Sequence, residues 1–360
     1  MKILVLANFD IGLYRFRKEL LGELLKENEV YISLPDGELV KNLEEMGCKF
    51  IPTKVDRRGM NPVKDMGLFF SHLKIIDKVK PDKVITYTIK PNIYGGIAAR
   101  ILRRDYYTNI TGLGTAFQGT GMVTKLVTVM YKIALKKAKK VFFENVGNRE
   151  VIVQKGIVKE ENTCTLNGAG VNLEIFTEKP YPAEENSTKF LFIGRVMKEK
   201  GVDELLYSAT RLKNEGYDFS LDIVGDFEDD YEGAIKEAEE KGIIKYHGLQ
   251  RDVRPFIEKA HCFVLPSYHE GMANTLLESG ATGRPLITSN IHGCLEAVVD
   301  GETGFLCEKE NGEALYEKMR EFIELPYEKK KEMGQKSREY IAEKFDKKKV
   351  VEKTVSELMR

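Results

Sequence analysis

The 360-residue sequence predicts an α/β protein of two Rossmann-like, doubly wound domains facing each other across a cleft. Three observations predict it. Short apolar runs of strand length alternate with amphipathic stretches, the pattern of βαβ units on a parallel sheet. The alternation is interrupted once, near the middle, by a Gly-rich and then Pro-containing connector, and restarts beyond it. The length suits two domains of ordinary size, about 100–200 residues each.

The elements follow in order. Lys2–Asn8 is an apolar strand, followed by Asp10-Ile11-Gly12 and an amphipathic stretch over Tyr14–Lys26. Val30–Leu34, Lys83–Thr88 and Val141–Glu144 are further strands, and Asn92–Leu102 has a helical pattern. The break runs through Leu166-Asn167-Gly168-Ala169-Gly170-Val171-Asn172 and the stiff segment Glu178-Lys179-Pro180-Tyr181-Pro182. It predicts one domain over 1–172 and a second over 173–344. In the second half Phe190–Ile193, Ser220–Val224, Cys262–Leu265 and Pro285–Thr288 are strands, and Glu328–Arg360 is a charged helical tail. In such sheets ligands bind outside the carboxyl ends of the strands, so the cleft is the expected site.

Composition excludes several classes. Lys+Arg and Asp+Glu are both 56, and the net charge is zero. The balance is uneven along the chain: residues 1–172 carry 28 Lys/Arg and 18 Asp/Glu, a net of +10, and the remainder carries the opposite. The basic half suggests an anionic partner, and a dipolar protein without one fits the same numbers. Five cysteines without a CxxC pair argue against a disulfide framework or a zinc site and for a reducing compartment. Asp10 and Arg15 interrupt the N-terminal segment too early for a signal peptide. No apolar run reaches the roughly 18 residues that a spanning helix needs. The expectation is a cytoplasmic protein, or one peripheral to the inner face of a membrane.

The chemistry-bearing motifs lie at predicted strand ends. Pro266-Ser267-Tyr268-His269-Glu270-Gly271-Met272-Ala273-Asn274-Thr275-Leu276-Leu277-Glu278 runs from a strand through a polar loop into a helix starting near Asn274. Backbone N–H groups and the positive helix end there favour a diphosphate. Glu270 and Glu278 can accept hydrogen bonds from sugar hydroxyls, although a loop charge and a solvated helix residue fit the spacing equally. Gly194-Arg195-Val196-Met197-Lys198-Glu199-Lys200-Gly201 places two cations, Arg195 and Lys200, after a strand, where they can neutralise a leaving diphosphate. Asn8–Gly12 offers a close backbone approach at Gly12, but no GxGxxG fingerprint is present. Lys90 in Thr86–Asn92 is either an acceptor contact or a solvated lysine, and the loop Ile110–Phe117, with Thr111 and Gly112, can line the cleft. Met122–Lys140 has an apolar stripe and only positive charge, which suits an anionic membrane surface or a core-packed helix with a solvated face. Asp226–Asp230 reads as a solvated charge run. The histidines share no metal-ligand spacing, and no metal site is expected.

Together these residues resemble the family 4 retaining glycosyltransferases of the GT-B fold. The stretch Glu270–Glu278 is similar to that family's signature, and Gly194-Arg195…Lys200-Gly201 to its diphosphate motif. Ile110–Phe117, Pro266–Met272 and Gly283-Arg284-Pro285 resemble the subgroup that builds bacterial capsule, O-antigen and N-linked glycans. The resemblance implies a UDP-sugar as donor substrate, no metal or other cofactor, and a sugar or lipid-linked sugar as acceptor. It implies that Arg195 and Lys200 hold the diphosphate and Glu270 the donor sugar. The backbone of Gly271, Met272, Ala273, Asn274 and Thr275 would contact sugar and phosphate, and Glu278 the ribose. Leu249 and Arg251 would flank the base, and Gly194 and Gly12 would approach the donor. Lys90, Asn92, Thr111 and Gly112 are the acceptor-side candidates, and the last helix, within 345–360, would return to the first domain. The family mechanism lets the leaving phosphate take the acceptor proton. Where many members carry a histidine at a first-domain strand end, this chain reads Ile110-Thr111-Gly112-Leu113-Gly114. Two rivals remain at this stage: a nucleotide-sugar 2-epimerase of the same fold, and a non-catalytic lipid-binding scaffold. Nucleic-acid binding is not expected, because the basic stretch has little aromatic interleaving.

Overall fold

The computed structural model describes residues 1–56, 61–114, 117 and 121–360. The chain divides into two compact units, Met1–Ala169 with Lys347–Arg360, and Gly170–Asp346.

The first unit is a seven-stranded sheet. In chain order it runs β1 (Lys2–Leu6), α1 (Asp10–Leu25), β2 (Glu29–Leu34), α2 (Val40–Glu45), β3 (Lys49–Pro52), α3 (Pro62–Val79) and β4 (Lys83–Tyr87). A π-helical turn, Pro91–Gly95, leads into α4 (Gly96–Ile101), then β5 (Asp105–Ile110), α5 (Met122–Leu135), β6 (Lys140–Phe143), α6 (Val146–Gln154) and β7 (Thr163–Thr165). The strand order is β3-β2-β1-β4-β5-β6-β7, all parallel. Residues Ile3 to Ala7 are buried without alternation, because helices cover both faces of a parallel sheet. Local chemistry sets the helix ends. Asn61 caps α3 by accepting from the N–H groups of Val63 and Lys64, and Lys80 closes it with φ 51° ahead of Pro81.

The second unit is a six-stranded parallel sheet. It runs β8 (Thr188–Ile193), α7 (Val202–Asn214), β9 (Phe219–Val224), α8 (Glu232–Glu240), β10 (Lys245–Tyr246), α9 (Arg254–Lys259) and β11 (Cys262–Leu265). It continues with α10 (Asn274–Ala281), β12 (Leu286–Ser289), β13 (Gly304–Cys307), α11 (Gly312–Glu324) and α12 (Tyr327–Lys344). The strand order is β10-β9-β8-β11-β12-β13. The last helix, α13 (Lys347–Met359), belongs to the first unit. It packs on α1, burying Val350, Thr354 and Leu358, and the Lys83 ammonium donates to the Leu358 carbonyl.

Both sheets therefore reverse strand order after their first strand, between β1 and β4 and between β8 and β11. Such reversals are where doubly wound sheets open a crevice for ligands. Strands β3, β5, β7, β10 and β13 carry no signal that the sequence reading used. β3, β7, β10 and β13 are only two to four residues long, and β5 (Asp-Tyr-Tyr-Thr-Asn-Ile) is too polar to register as an apolar run.

Candidate functional site

In the second unit, the two loops that follow the strands at its reversal are fastened together. β8 ends at Ile193 and leads through Gly194 and Arg195 to a short 3-10 turn, Lys198–Lys200. β11 ends at Leu265 and leads through Pro266 to Glu270. The Tyr268 N–H donates to the Glu199 carbonyl at 2.8 Å. Gly201, with φ 72°, lies so close to the neighbouring chain that a Cβ there would sit 2.1 Å from the Pro266 carbonyl oxygen. Only glycine permits that approach in a left-handed conformation. The Lys200 ammonium and the Glu270 carboxylate form an ion pair, their side chains 16% and 12% exposed. The Ser267 hydroxyl donates to the same Glu270 oxygen, Oε1, at 2.9 Å. The Tyr268 hydroxyl donates to the Glu204 carboxylate at 2.8 Å, and burial followed by that contact pushes its pKa up. Burial holds the His269 imidazole below its usual range.

Other residues that the sequence suggests for a donor lie at the neighbouring strand ends of this sheet. Gly194 donates to the Val224 carbonyl at 3.0 Å, and Gly225 donates to the Gly248 carbonyl at 2.9 Å, so the ends of β8, β9 and β10 are adjacent. Leu249 and Arg251 are exposed on the loop after β10. Arg195 is more than half exposed and lies 3.6 Å from the Glu228 carboxylate. The acidic run Asp226–Asp230 is thus not merely solvated. Glu228 faces Arg195, Asp229 accepts from the Lys198 N–H at 2.9 Å, and Val196 donates to the Asp226 carbonyl. That bracing spans about 30 residues of sequence, and only the β8–β9 pairing reveals it.

On the other side of Glu270, Met272 and Ala273 are buried, and the Ala273 N–H donates to the Gly293 carbonyl at 2.9 Å. Gly271, Asn274 and Thr275 are half-buried, Asn274 opens α10, and Glu278 lies one turn inside that helix, half-buried as well. The amide oxygen of Asn274 is buried with no hydrogen-bond partner among the described residues. A helix start four residues after Glu270, and the Lys200 ammonium paired with that carboxylate, make this end of the sheet suited to a phosphate.

The first unit has its own cavity, of about 270 Å³, outside the ends of β1, β4 and β5. Asn8, Asp56, Thr88, Lys90, Thr111 and Gly112 line it. Lys90 lies 2.8 Å from the Asp65 carboxylate of α3, and both are largely buried, so it is not the solvated lysine the sequence also allowed. The amide oxygen of Asn8 is buried and unpartnered among the described residues. Two backbone features mark the place. Thr88 has φ 71°, a left-handed conformation that costs a β-branched residue of order 1–3 kcal/mol. The π-helical turn Pro91–Gly95 begins three residues later, and such turns recur at functional sites. Asn8 and Thr88 fall within the stretches Asn8–Gly12 and Thr86–Asn92 read from the sequence but are not site candidates there, and the strain at Thr88 leaves no residue-type signature.

Asn92 requires correction. It was an acceptor candidate, but it is 1% exposed, and its amide donates to the Asn109 carbonyl at 2.9 Å. Its position on the inner side of the π-helical turn directs it into the sheet. Gly12 lies in the first turn of α1, where a Cβ would sit 2.7 Å from the Phe9 ring. Part of the loop 110–117, at 115–116, lies outside the described residues. Among the described residues no three His, Cys, Asp or Glu side chains cluster as a metal ion would need, and no helix is long and apolar enough to cross a membrane.

Comparison with known proteins adds family and fold. Residues 175–340 match the family model described as glycosyl transferases group 1, and residues 2–145 the model described as glycosyl transferase 4-like. The chain is 28% identical over 341 residues to the N,N'-diacetylbacillosaminyl-diphospho-undecaprenol alpha-1,3-N-acetylgalactosaminyltransferase of Campylobacter jejuni, covering 90% of each chain. It is 30% identical over 311 residues to the UDP-Gal:alpha-D-GlcNAc-diphosphoundecaprenol alpha-1,3-galactosyltransferase of Escherichia coli, covering 79% of this chain and 78% of that one. Among solved structures, Anabaena Alr3699/HepE in complex with UDP and glucose superposes with a TM-score of 0.82 at 16% identity, covering 100% of this chain and 99% of that one.

Proposed function

The chain belongs to the glycosyltransferases of the group 1, 4-like family and has their GT-B fold, and from that premise we propose a retaining, metal-independent transfer from a UDP-sugar to a polyprenyl-diphosphate-linked sugar. The sugar moved is a hexose or N-acetylhexosamine, and the product enters surface polysaccharide or glycan synthesis. The observation that carries the reading is the Lys200–Glu270 pair, held where β8 and β11 end, with Arg195 five residues before Lys200. An ammonium has three donors, so Lys200 can serve a diphosphate oxygen while remaining against Glu270. Arg195 can grip a second oxygen bidentately. These cations then carry the charge that develops as the nucleoside diphosphate departs, without a metal ion. Glu270 accepts a hydroxyl of the donor sugar, and Glu278 accepts from the ribose. The leaving phosphate takes the acceptor proton on the same face of the sugar, so the side chains position and stabilise charge. The alpha linkages in both relatives' names support retention, because a UDP-hexose carries its sugar in that configuration. The cavity at Lys90, Thr111 and Gly112 receives the acceptor sugar.

The lipid half of the acceptor calls for a membrane surface, and α5 offers one. Met122, Val123, Leu126, Val129 and Ile133 are exposed along it, beside the exposed Lys125 and Lys132. The exposed Val63, Met66 and Phe70 follow the same spacing on α3, and both helices pack against the π-helical turn. Apolar residues and lysines without a carboxylate between Asp105 and Glu144 fit an anionic bilayer, which makes the enzyme peripheral to the membrane.

The test is a screen of UDP-GalNAc, UDP-GlcNAc and UDP-galactose with an undecaprenyl-diphosphate-linked sugar. One donor is expected to give a disaccharide product with an alpha linkage by NMR. A C2 epimer formed from donor alone, with no product on any acceptor, would replace this reading with the epimerase.

A further inference from the structure

We propose that Ser267 is a positioning residue for transfer, acting through Glu270. The inference rests on the reading above that Glu270 meets the donor sugar. Ser267 is 0% exposed, the first residue after Pro266 at the end of β11, so its hydroxyl has no route to solvent. A buried serine commonly satisfies its hydroxyl on a nearby carbonyl. This one instead donates to a carboxylate three residues on, at 2.9 Å, to the oxygen that Lys200 also grips. Two donors converging on Oε1 from different strand ends fix the plane of the carboxylate, and with it the direction of Oε2. The backbone of Glu270 is fixed independently. A Cβ on Gly293 would sit 2.7 Å from its carbonyl oxygen, and Gly293 has φ 93°. Gly293 is itself held by its N–H donating to Glu296 at 2.6 Å.

Lys200 alone would not suffice. A point charge on a flexible stem attracts the carboxylate without fixing its rotation, whereas a hydroxyl at the buried base of the loop selects one orientation. A diphosphate that shares the ammonium with Oε1 weakens its hold there, and the Ser267 hydroxyl remains wholly committed to that oxygen. The serine therefore matters most when sugar and diphosphate are both bound.

The experiment compares the wild type, S267A, E270A and the double variant with the best donor and acceptor. UDP affinity is measured on each by calorimetry. S267A is expected to lower kcat/KM by about tenfold or more, the scale of one hydrogen bond to a charged group, and to leave UDP affinity within about twofold. In the E270A background, removing the hydroxyl is expected to change nothing further. If S267A does not fold, S267C keeps the shape with a weaker donor, and an intermediate loss of turnover at unchanged UDP affinity is expected. Wild-type turnover in S267A overturns the inference while the proposed function stands. So do losses that multiply in the double variant, or UDP affinity falling in step with turnover. Near-normal turnover in E270A removes the role of Glu270 itself, and the inference with it.

Discussion

Arg195 and Lys200 differ in how the protein holds them, and their substitutions should differ accordingly. Lys200 is mostly buried and paired with Glu270, and Arg195 is mostly exposed beside Glu228. Lys200→Ala and Arg195→Ala are both expected to slow turnover by orders of magnitude, since losing one charge-stabilising donor costs about 2.7–4 kcal/mol. Lys200→Ala also removes the cation beside a largely buried carboxylate, so it alone should lower thermal stability measurably. Steady-state kinetics and thermal unfolding on both variants check this, and full turnover in both would remove them from the mechanism. At this scale residue type alone marked the two members of the Lys200–Glu270 pair, a cation after a strand and a carboxylate in a loop. It was illegible where a role depends on burial. Asn92 looked available in sequence and is enclosed. Arg284 was noticed only as part of a Gly-Arg-Pro string, yet it is 0% exposed, with its guanidinium donating to the carbonyls of Ile257, Glu258, Lys179, Pro180 and Gly283. Burial pushes its pKa down to about 10.

Among the elements, α3 carries a histidine with a consequence for acid stability. His72 is completely buried, and neither ring nitrogen has a hydrogen-bond partner among the described residues. Burial lowers its pKa to about 4 from an ordinary 6.5. As pH falls below 6.5 the unfolded chain takes up this proton first, so stability declines until the folded state also protonates near pH 4. The window should cost about 3 kcal/mol, and above it the group contributes no pH dependence. Urea unfolding from pH 7 to 4 should show a shallower decline in His72→Leu than in the wild type. Equal slopes would place a compensating group beside the ring. For α5 the expectation is flotation with vesicles containing anionic phospholipid, and loss of flotation in the Leu126→Glu, Ile133→Glu variant. Failure of the wild type to float at any salt concentration would reject the membrane surface. The strands that the sequence revealed are mainly central ones, where burial on both faces demands continuous apolar runs. The short edge strands β3, β7, β10 and β13 escape that demand, and so escaped notice.

Over the whole molecule, the α/β class and the second start of the alternation were readable because each domain must cover both faces of its own sheet. The strand orders were not, since pairing between distant runs leaves no mark in either run. The charge division was visible in composition, but its use depends on where lysines face outward, and α5 shows that only once folded. α13 gives a test at this scale. Deleting 347–360 removes Val350 and Leu358 from the core of the first unit, a loss of about 3–6 kcal/mol at 1.5–3 kcal/mol for each buried side chain. Calorimetry should show the transition of that unit lowered or gone while the second unit still melts separately. A single unchanged transition would contradict the division.

The same helix sets a timetable for biosynthesis. The sheet of the first unit leaves the ribosome early, but the segment that seals its α1 is translated only after the whole of the second unit. At about 5–20 residues per second, the intervening unit takes on the order of ten seconds or more to appear, and throughout that time the α1 surface waits uncovered. A nascent chain of this protein thus completes its first unit only once its second has been made.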